Sequence, residues 1–308
     1  MNATSDPKSP GAGPEPAPES APGLGPDAAR RAGGGGADAA RSAAWAALPE
    51  LTLSERQSDR SRLVSHDRHD PAHSVFDMLR TRVAQAMAER GWRRLAVTSP
   101  TKDCGKTFVS SNLALSLARR RGLRVGLMDL DLRLPSLAQI FGVAHPGDLG
   151  DFLDGGDGVR DHFLRFGDNL AIAVNGVRRA DSAELLNEPA TGAAIGRAEA
   201  ELGLGLTVFD LPPMLACDDV LAFLPHVDCV LLVAGGGVTR AEELRRCARL
   251  VEDRTPMLGI VLNQADDPNV ERYYYGYGEK DGAKAGKAGK AAGKTGEKTG
   301  GKRGGARD

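Results

Sequence analysis

The sequence has 308 residues, of which 41% are hydrophobic, so it is long enough for one sizeable α/β core with tails. Its formal net charge of -1 gives no overall field for nucleic acid, and we expect no nucleic-acid partner. The 4 cysteines form no CxxC pair, which argues against a disulfide framework or a zinc site and fits a reducing cytoplasm. No apolar run approaches the ~20 residues of a membrane helix, so we expect any membrane association to go through a partner.

The N-terminal segment is dominated by Pro, Gly, Ala and Ser. Such a composition buries too little apolar surface to offset the entropy of ordering, so we predict that residues 1–65 are disordered. The pattern allows one exception, a short Ala-rich helix around residues 39–48 with Trp45 as a lone apolar anchor.

Between residues 66 and 268, short apolar strands alternate with helical patterns, and this range is the predicted domain. The first helix is predicted over residues 73–89, where apolar residues recur at helical spacing. The other predicted elements, in chain order, are a strand at 95–97, a helix at 107–121, strands at 125–128, 170–174, 206–209 and 229–233, a helix at 240–252 and a strand at 258–262. Nearly continuous apolar strands predict an α/β fold with a mostly parallel sheet covered by helices on both faces.

The C-terminal segment, residues 269–308, begins with tyrosines and continues as Lys, Gly and Ala without periodicity, which predicts a flexible basic tail. All 4 tyrosines of the chain lie here, as Tyr273, Tyr274, Tyr275 and Tyr277. Tyrosine is usually a core or interface residue, so this distribution is unusual. We favour a set of phosphoacceptors over the alternative, an aromatic docking element.

A candidate phosphate-binding loop lies between the predicted strand at 95–97 and the helix that follows. Backbone N–H groups at a helix N-terminus bind phosphate, a lysine can reach the β and γ phosphates, and a hydroxyl can bind Mg²⁺. The predicted nucleotide-binding residues of this loop are Asp103, Cys104, Gly105, Lys106 and Thr107. Because Pro100 stands where the P-loop pattern has its first Gly, the loop alone leaves an ordinary strand-to-helix turn as an equal alternative.

Two further buried strands end in carboxylates. One predicted strand leads into Asp129 and Asp131, which two-residue spacing places on the same side, and another leads into Asp210 before a Pro-Pro turn. In open α/β sheets ligands bind beyond the carboxyl ends of the strands, and Asp210 is placed like a Walker B carboxylate. The three motifs in this order predict a P-loop NTPase that binds nucleotide with Mg²⁺.

With these motifs, residues 74–277 resemble the cytoplasmic bacterial tyrosine kinases (BY-kinases) of capsule and exopolysaccharide synthesis, within the wider MinD/ParA-like P-loop class. The resemblance rests on the Ser-Pro-x4-Gly-Lys-Thr loop, on Asp-x-Asp-x-Arg-x-Pro-Ser-Leu at 129–137, on the stretch 148–155, on Ala-Glu-Leu-Leu at 183–186 and on Asp-Leu-Pro-Pro at 210–213. It implies an ATP- and Mg²⁺-dependent protein-tyrosine kinase that autophosphorylates its tyrosine cluster and regulates polysaccharide polymerisation and export.

The resemblance also implies roles for single residues. Lys106, Asp129 and Asp131 would be catalytic, and Thr107, Asp129 and Asp210 would hold the metal ion. Asn263 looks like the adenine-contacting Asn of the wider class. For Arg133 two readings stay open, neutralisation of charge near the phosphates and structural packing.

Partners and location are likewise implied by resemblance. They are a membrane polysaccharide co-polymerase adaptor (Wzz-like), further copies of the chain in a homo-oligomer, and a phosphotyrosine phosphatase. The expected location is cytoplasmic, peripheral at the inner membrane through the adaptor.

The first predicted helix departs from the family pattern. Where the kinases carry Glu-x-x-Arg-x-x-Arg for ring assembly, this chain has Ser74, Asp77 and Arg80, and only the last matches. A signature lysine of partition-type ATPases is also replaced, by Thr101. The altered helix keeps a second hypothesis open, a MinD/ParA-like nucleotide-switched scaffold ATPase without kinase activity.

Overall fold

The computed structural model describes residues 26–65 and 70–265. Its helices are α1 (Pro26–Ala46), α2 (Glu55–Arg60), α3 (Pro71–Arg90), α4 (Lys106–Ala118), α5 (Leu137–Phe141), α6 (Leu149–Leu153), α7 (Val159–His162), α8 (Ser182–Asn187), α9 (Pro189–Leu202), α10 (Asp219–Phe223) and α11 (Ala241–Val251). Its strands are β1 (Arg94–Thr98), β2 (Val125–Asp129), β3 (Phe163–Phe166), β4 (Leu170–Ala173), β5 (Leu206–Asp210), β6 (Cys229–Gly235) and β7 (Met257–Asn263).

The strands form one seven-stranded sheet in the order β3-β4-β2-β5-β1-β6-β7. Every neighbouring pair is parallel except β3 and β4. Helices cover both faces, because two clusters of buried apolar side chains lie on opposite sides of the sheet. The predicted α/β fold with a mostly parallel sheet is therefore confirmed, and the antiparallel edge strand β3 is an element that the sequence analysis did not predict.

The sheet register gathers the carboxyl ends of the central strands. Asp129, at the end of β2, pairs with Asp210, at the end of β5, and Asp210 is also aligned with Val97 of β1. Strand β1 ends at Thr98, the residue after Val97, and the phosphate-binding loop follows directly. Two strand-end carboxylates and the loop thus meet at one edge.

Within the predicted disordered segment 1–65, the structure describes residues 26–65, and the part from residue 45 onward is packed against the domain. Residues 45–65, here called the N-terminal wrap, run from the end of α1 along β3 and over the face that carries α3 and α4. Trp45 is 5% exposed, its Nε1 donates to the Gly167 carbonyl over 3.4 Å, and the Arg124 guanidinium lies 4.6 Å from its ring centroid. Leu48 is buried beside it in the same apolar cluster.

Further along the wrap, Glu50 forms a parallel bridge and a 2.6 Å ion pair with Arg165 of β3. The Gln57 amide donates to the carbonyls of Gln139 and Ile140 over 2.8 and 2.9 Å. The wrap closes with buried Leu63 and Val64 before the gap at residues 66–69. Composition averages do not register these contacts, because a few large apolar side chains suffice to anchor a segment that is otherwise mostly exposed.

The predicted domain boundary at residue 268, the tyrosine cluster and the tail lie outside the described residues. Within residues 26–65 and 70–265, no helix combines the length and apolarity needed to cross a bilayer.

Candidate nucleotide site

The phosphate-binding loop is held in a backbone conformation that favours glycine. Gly105 has φ 81°, in the left-handed region, and a Cβ there would lie 2.1 Å from the Asn263 side-chain nitrogen. Asn263 Nδ2 donates to the Cys104 carbonyl over 3.0 Å, and Gln264 Nε2 donates to the Asp103 carbonyl over 3.2 Å. The end of β7 therefore clamps the loop from outside. The backbone conformation favours Gly105, and a Cβ there would displace the Asn263 amide from the clamp.

Lys106 begins α4 and carries its ammonium group into a pair of carboxylates. Its Nζ lies 2.9 Å from Asp131 Oδ2 and 3.4 Å from Asp210 Oδ2, and its side chain is 12% exposed. Burial alone would lower the pKa of Lys106, but attraction to Asp210, Asp131 and Asp129 outweighs it and raises that pKa. The lysine is therefore a fixed positive charge.

Asp210 is fully buried and accepts hydrogen bonds on both oxygens. Thr107 Oγ1 donates to its Oδ2 over 2.7 Å, and Ser110 Oγ donates to its Oδ1 over 3.1 Å. Burial raises the pKa of this carboxyl, while Lys106 and Thr107 oppose the rise. The Walker B-like carboxylate and the Gly-Lys-Thr hydroxyl are thus in direct contact.

Asp129 is also fully buried, at the end of β2. Its Oδ2 accepts the backbone N–H groups of Ser136 and Leu137 over 3.0 and 2.9 Å. Burial first, and then repulsion by Asp210, raise the pKa of Asp129 to about 8. The strand ends at Asp129, so the two-residue alternation used in the sequence analysis does not extend to Asp131, which reaches Lys106 from the following loop.

The donor set fits Mg²⁺, which prefers oxygen ligands and keeps water and phosphate oxygens in its shell. The available protein oxygens are the Thr107 hydroxyl and the carboxylates of Asp210 and Asp129. Within the described ranges, no group of three or more His, Cys, Asp or Glu side chains is arranged to hold a metal ion. Such an arrangement is not required when a nucleotide supplies oxygens.

The guanidinium of Arg133 contacts Asp219 and not the carboxylates around Lys106. Its Nε and one terminal nitrogen donate to the two oxygens of Asp219 over 2.6 and 3.2 Å. Of the two readings left open for Arg133, the structure displays the packing arrangement.

Several contacting residues were not among the predicted ones, namely Ser110, Ser136, Gln264 and Asp219. Ser110 lies one helical turn after Thr107, so its position on the face of Thr107 could have been read from the sequence. Ser136 Oγ donates to Thr107 Oγ1 over 3.2 Å and belongs to the quoted Arg-x-Pro-Ser motif. Gln264 and Asp219 carry no such signal, because their contacts span 161 and 86 residues.

Comparison with known proteins finds a nucleotide-binding domain family and bacterial tyrosine kinases. The sequence model of the CobQ/CobB/MinD/ParA nucleotide binding domain matches residues 95–280. The EpsB protein of Ralstonia solanacearum is 32% identical over 215 residues, which make up 69% of this chain and 28% of EpsB. The tyrosine-protein kinase Etk of Escherichia coli K12 is 31% identical over 63% of this chain and 27% of Etk. The chain thus spans under a third of the length of these relatives.

Among solved structures, the kinase domain of E. coli tyrosine kinase Etk superimposes with a TM-score of 0.60 at 30% sequence identity. The match covers 65% of this chain and 79% of that domain. The resemblance to bacterial tyrosine kinases is therefore present in both sequence and structure.

Proposed function

We propose, from the premise that this chain belongs to the CobQ/CobB/MinD/ParA nucleotide-binding family, that it is an ATP-dependent protein-tyrosine kinase. The observation that carries the phosphoryl-transfer part is the buried contact of Lys106 with Asp131 and Asp210, beside the Thr107 hydroxyl. The similarity to the Etk kinase domain supports tyrosine as the acceptor.

The loop residues have the chemistry to hold a nucleoside triphosphate. Backbone N–H groups from Asp103 to Thr107 surround the start of α4, whose dipole favours a phosphate. Lys106 would leave its carboxylate partners in part and stabilise charge on the β and γ phosphates. Mg²⁺, when bound by Thr107, Asp210 and Asp129, would add positive charge at the phosphate oxygens.

The acceptor step is in-line transfer to a tyrosine hydroxyl. The bond from the γ-phosphorus to the ADP oxygen breaks, a bond to the phenolic oxygen forms, and the phenolic proton passes to a carboxylate. We assign that carboxylate to Asp131, because Asp129 is a proposed Mg²⁺ ligand and its Oδ2 already accepts two backbone N–H groups. Asn263 would contact the adenine from the end of β7 while it clamps Cys104.

The proposed acceptors are Tyr273, Tyr274, Tyr275 and Tyr277, phosphorylated between copies of the chain in a homo-oligomer. Several adjacent phosphates would add strong negative charge and change how the tail binds partners. By resemblance, the kinase would act with a membrane polysaccharide co-polymerase adaptor at the inner membrane, would be reversed by a phosphotyrosine phosphatase, and would regulate capsule or exopolysaccharide polymerisation.

The direct test is phosphosite mapping by mass spectrometry. The purified full chain would be incubated with ATP and Mg²⁺, with and without the adaptor's cytoplasmic segment. Lys106→Met is the inactive variant, and Lys102→Met, which changes an exposed lysine of the same loop, is the matched control. Phosphate on the tyrosine cluster in the wild type and in Lys102→Met, but not in Lys106→Met, supports the proposal; ATP hydrolysis with unmodified tyrosines contradicts it.

One observation favours the second candidate, a nucleotide-switched scaffold ATPase. Asp77 of α3, at a position where the kinases carry a motif arginine, is engaged within its own chain. It forms ion pairs with Arg119 and with Arg80, the latter at 3.2 Å, and accepts from Ser116 Oγ over 3.1 Å. The scaffold hypothesis predicts nucleotide-dependent dimers and hydrolysis without phosphotyrosine, so the same incubation separates the two.

A further inference from the structure

Arg133 and Asp219 form a tight polar cluster beside the proposed site. Asp219, the first residue of α10, is 1% exposed, whereas the Arg133 side chain is 39% exposed. Besides the two hydrogen bonds from Arg133, Asp219 Oδ1 accepts the Ser182 hydroxyl of α8 over 2.6 Å. Burial alone would raise the pKa of the Asp219 carboxyl, but hydrogen bonds from Arg133, Cys217 and Ser182 outweigh it and lower that pKa.

The cluster makes it costly for Arg133 to leave. Arg133 is the one cation that contacts Asp219 within the described part of the chain. A buried carboxylate that loses its cation keeps the cost of desolvation without the compensating attraction. A phosphate could therefore recruit Arg133 only by leaving Asp219 buried and unpaired.

The Arg133–Asp219 cluster is attached to the loop that carries Asp131. Arg133 lies two residues after Asp131, in the loop between β2 and α5. The same loop is tied at other points, since Leu130 N–H donates to the Asp210 carbonyl over 2.9 Å and Leu134 N–H donates to Asp131 Oδ1 over 3.0 Å. The Arg133–Asp219 contact fixes the outer side of this loop to α8 and α10.

We infer that Asp219 is a positioning residue for phosphoryl transfer, which holds Arg133 and so fixes the loop that carries Asp131, the proposed proton acceptor. The inference rests on the proposed function for the nature of the reaction, but the geometry that it describes also serves ATP hydrolysis. Arg133 then acts through the loop and does not bind phosphate.

The test uses the full chain and four variants: Asp219→Ala, Arg133→Ala, the double variant, and Asp218→Ala. Arg133→Ala leaves the Asp219 carboxylate buried and unpaired, so this single variant could fail to fold. The double variant removes both charges and leaves no unpaired buried carboxylate, so it keeps the test valid in that case. Asp218→Ala is the matched control, because Asp218 is 78% exposed and lies 3.7 Å from Arg133. Each variant is measured for affinity for a fluorescent ATP analogue, kcat of hydrolysis and of tyrosine phosphorylation, and midpoint of thermal unfolding.

The expected result is a kcat roughly 10- to 100-fold lower in Asp219→Ala, Arg133→Ala and the double variant, as misplacement of a reacting group by about 1 Å produces. Analogue affinity stays within about threefold of the wild type, and Asp218→Ala behaves as the wild type. The double variant is no worse than either single one, because the two residues act as a unit.

Two results would overturn the inference. If Arg133→Ala alone weakens analogue binding tenfold or more while Asp219→Ala does not, Arg133 is a phosphate ligand. If the folded double variant keeps wild-type kcat and loses only thermal stability, the cluster is structural. Should the wild type hydrolyse ATP without forming phosphotyrosine, the proposed kinase function fails, but kcat of hydrolysis still decides the role of Asp219.

Discussion

The carboxyl edge of the sheet gathers buried charged groups, whereas the N-terminal wrap gathers a few large apolar side chains. At the edge, the ion pairs of Lys106 with Asp131 and Asp210 offset part of the free-energy cost of burying these charges. Such an arrangement seldom increases stability. In the wrap, Trp45 and Leu63 lose contact with water and need no charge to compensate. The first region is arranged for chemistry at a cost in stability, and the second contributes stability alone.

The largest expected effect falls on the edge, in Asp210→Asn. The amide keeps the shape of the side chain but removes the negative charge that holds Lys106 and Thr107, so we expect a loss of phosphoryl transfer of about 10²-fold or more. Because the change also relieves repulsion with Asp129, the nucleotide-free protein should unfold at the same or a higher temperature. Steady-state kinetics measures the loss of activity, and calorimetry measures the unfolding temperature. An inactive variant that is also clearly less stable would contradict the view that this edge is arranged for chemistry at a cost in stability.

The matching change in the wrap is Trp45→Ala. Removal of a buried Trp should lower the free energy of unfolding by about 3–5 kcal/mol, while kcat of the remaining folded protein stays unchanged. Urea denaturation measures the loss. Trp92→Ala, in which a partly buried Trp is removed from the opposite cluster, is the control and should cost less.

Gly105→Ala should lower stability for two reasons, backbone strain and a steric clash. The left-handed backbone should cost about 1–2 kcal/mol, and the new Cβ clashes with the Asn263 amide. Asn263→Ala in the same chain removes the clash and leaves the backbone cost, so partial rescue of stability is expected. Thermal unfolding of the two single variants and the double variant measures it; full rescue, or none, would contradict this division.

The last expected effect is a dependence of stability on pH. The folded chain holds a proton on Asp129 between the ordinary pKa of 3.8 and about 8, whereas the unfolded chain releases it. The stability of the nucleotide-free, Mg²⁺-free protein should therefore fall as pH rises through this window. Asp129→Asn should flatten the fall in unfolding midpoint between pH 5 and 8, and an unchanged slope would assign the dependence to other groups.

The two regions also differ in what the sequence could predict. Gly-Lys-Thr and the strand-end aspartates are local patterns. The mostly parallel sheet, and the location of these residues beyond the carboxyl ends of its strands, could therefore be predicted. The sequence marked Trp45 as an apolar anchor, but the path of the wrap could not be predicted in this way. Trp45 packs against Gly167 and Arg124, which are distant in the chain. Composition predicted disorder for a segment in which Leu48, Leu63 and Val64 are buried together with Trp45.

The pairing of Arg133 with Asp219 was beyond prediction for a related reason. A motif assigns a residue type to a position, but the direction of a long side chain depends on which partner lies nearby in the fold. Asp219 is unremarkable in the sequence, one of two adjacent aspartates, and only burial separates it from Asp218.

The bridge between Glu50 and Arg165 has a consequence for how sheets of this protein can meet. It covers the outer side of β3, so that one margin of the sheet is closed to another strand, while within the described residues nothing pairs with the outer side of β7. On β7, Ile260 and Leu262 are more than half exposed. If β7 is the one open margin, as it is among the described residues, strand addition would join two copies edge to edge about a twofold axis and would not continue into a fibre.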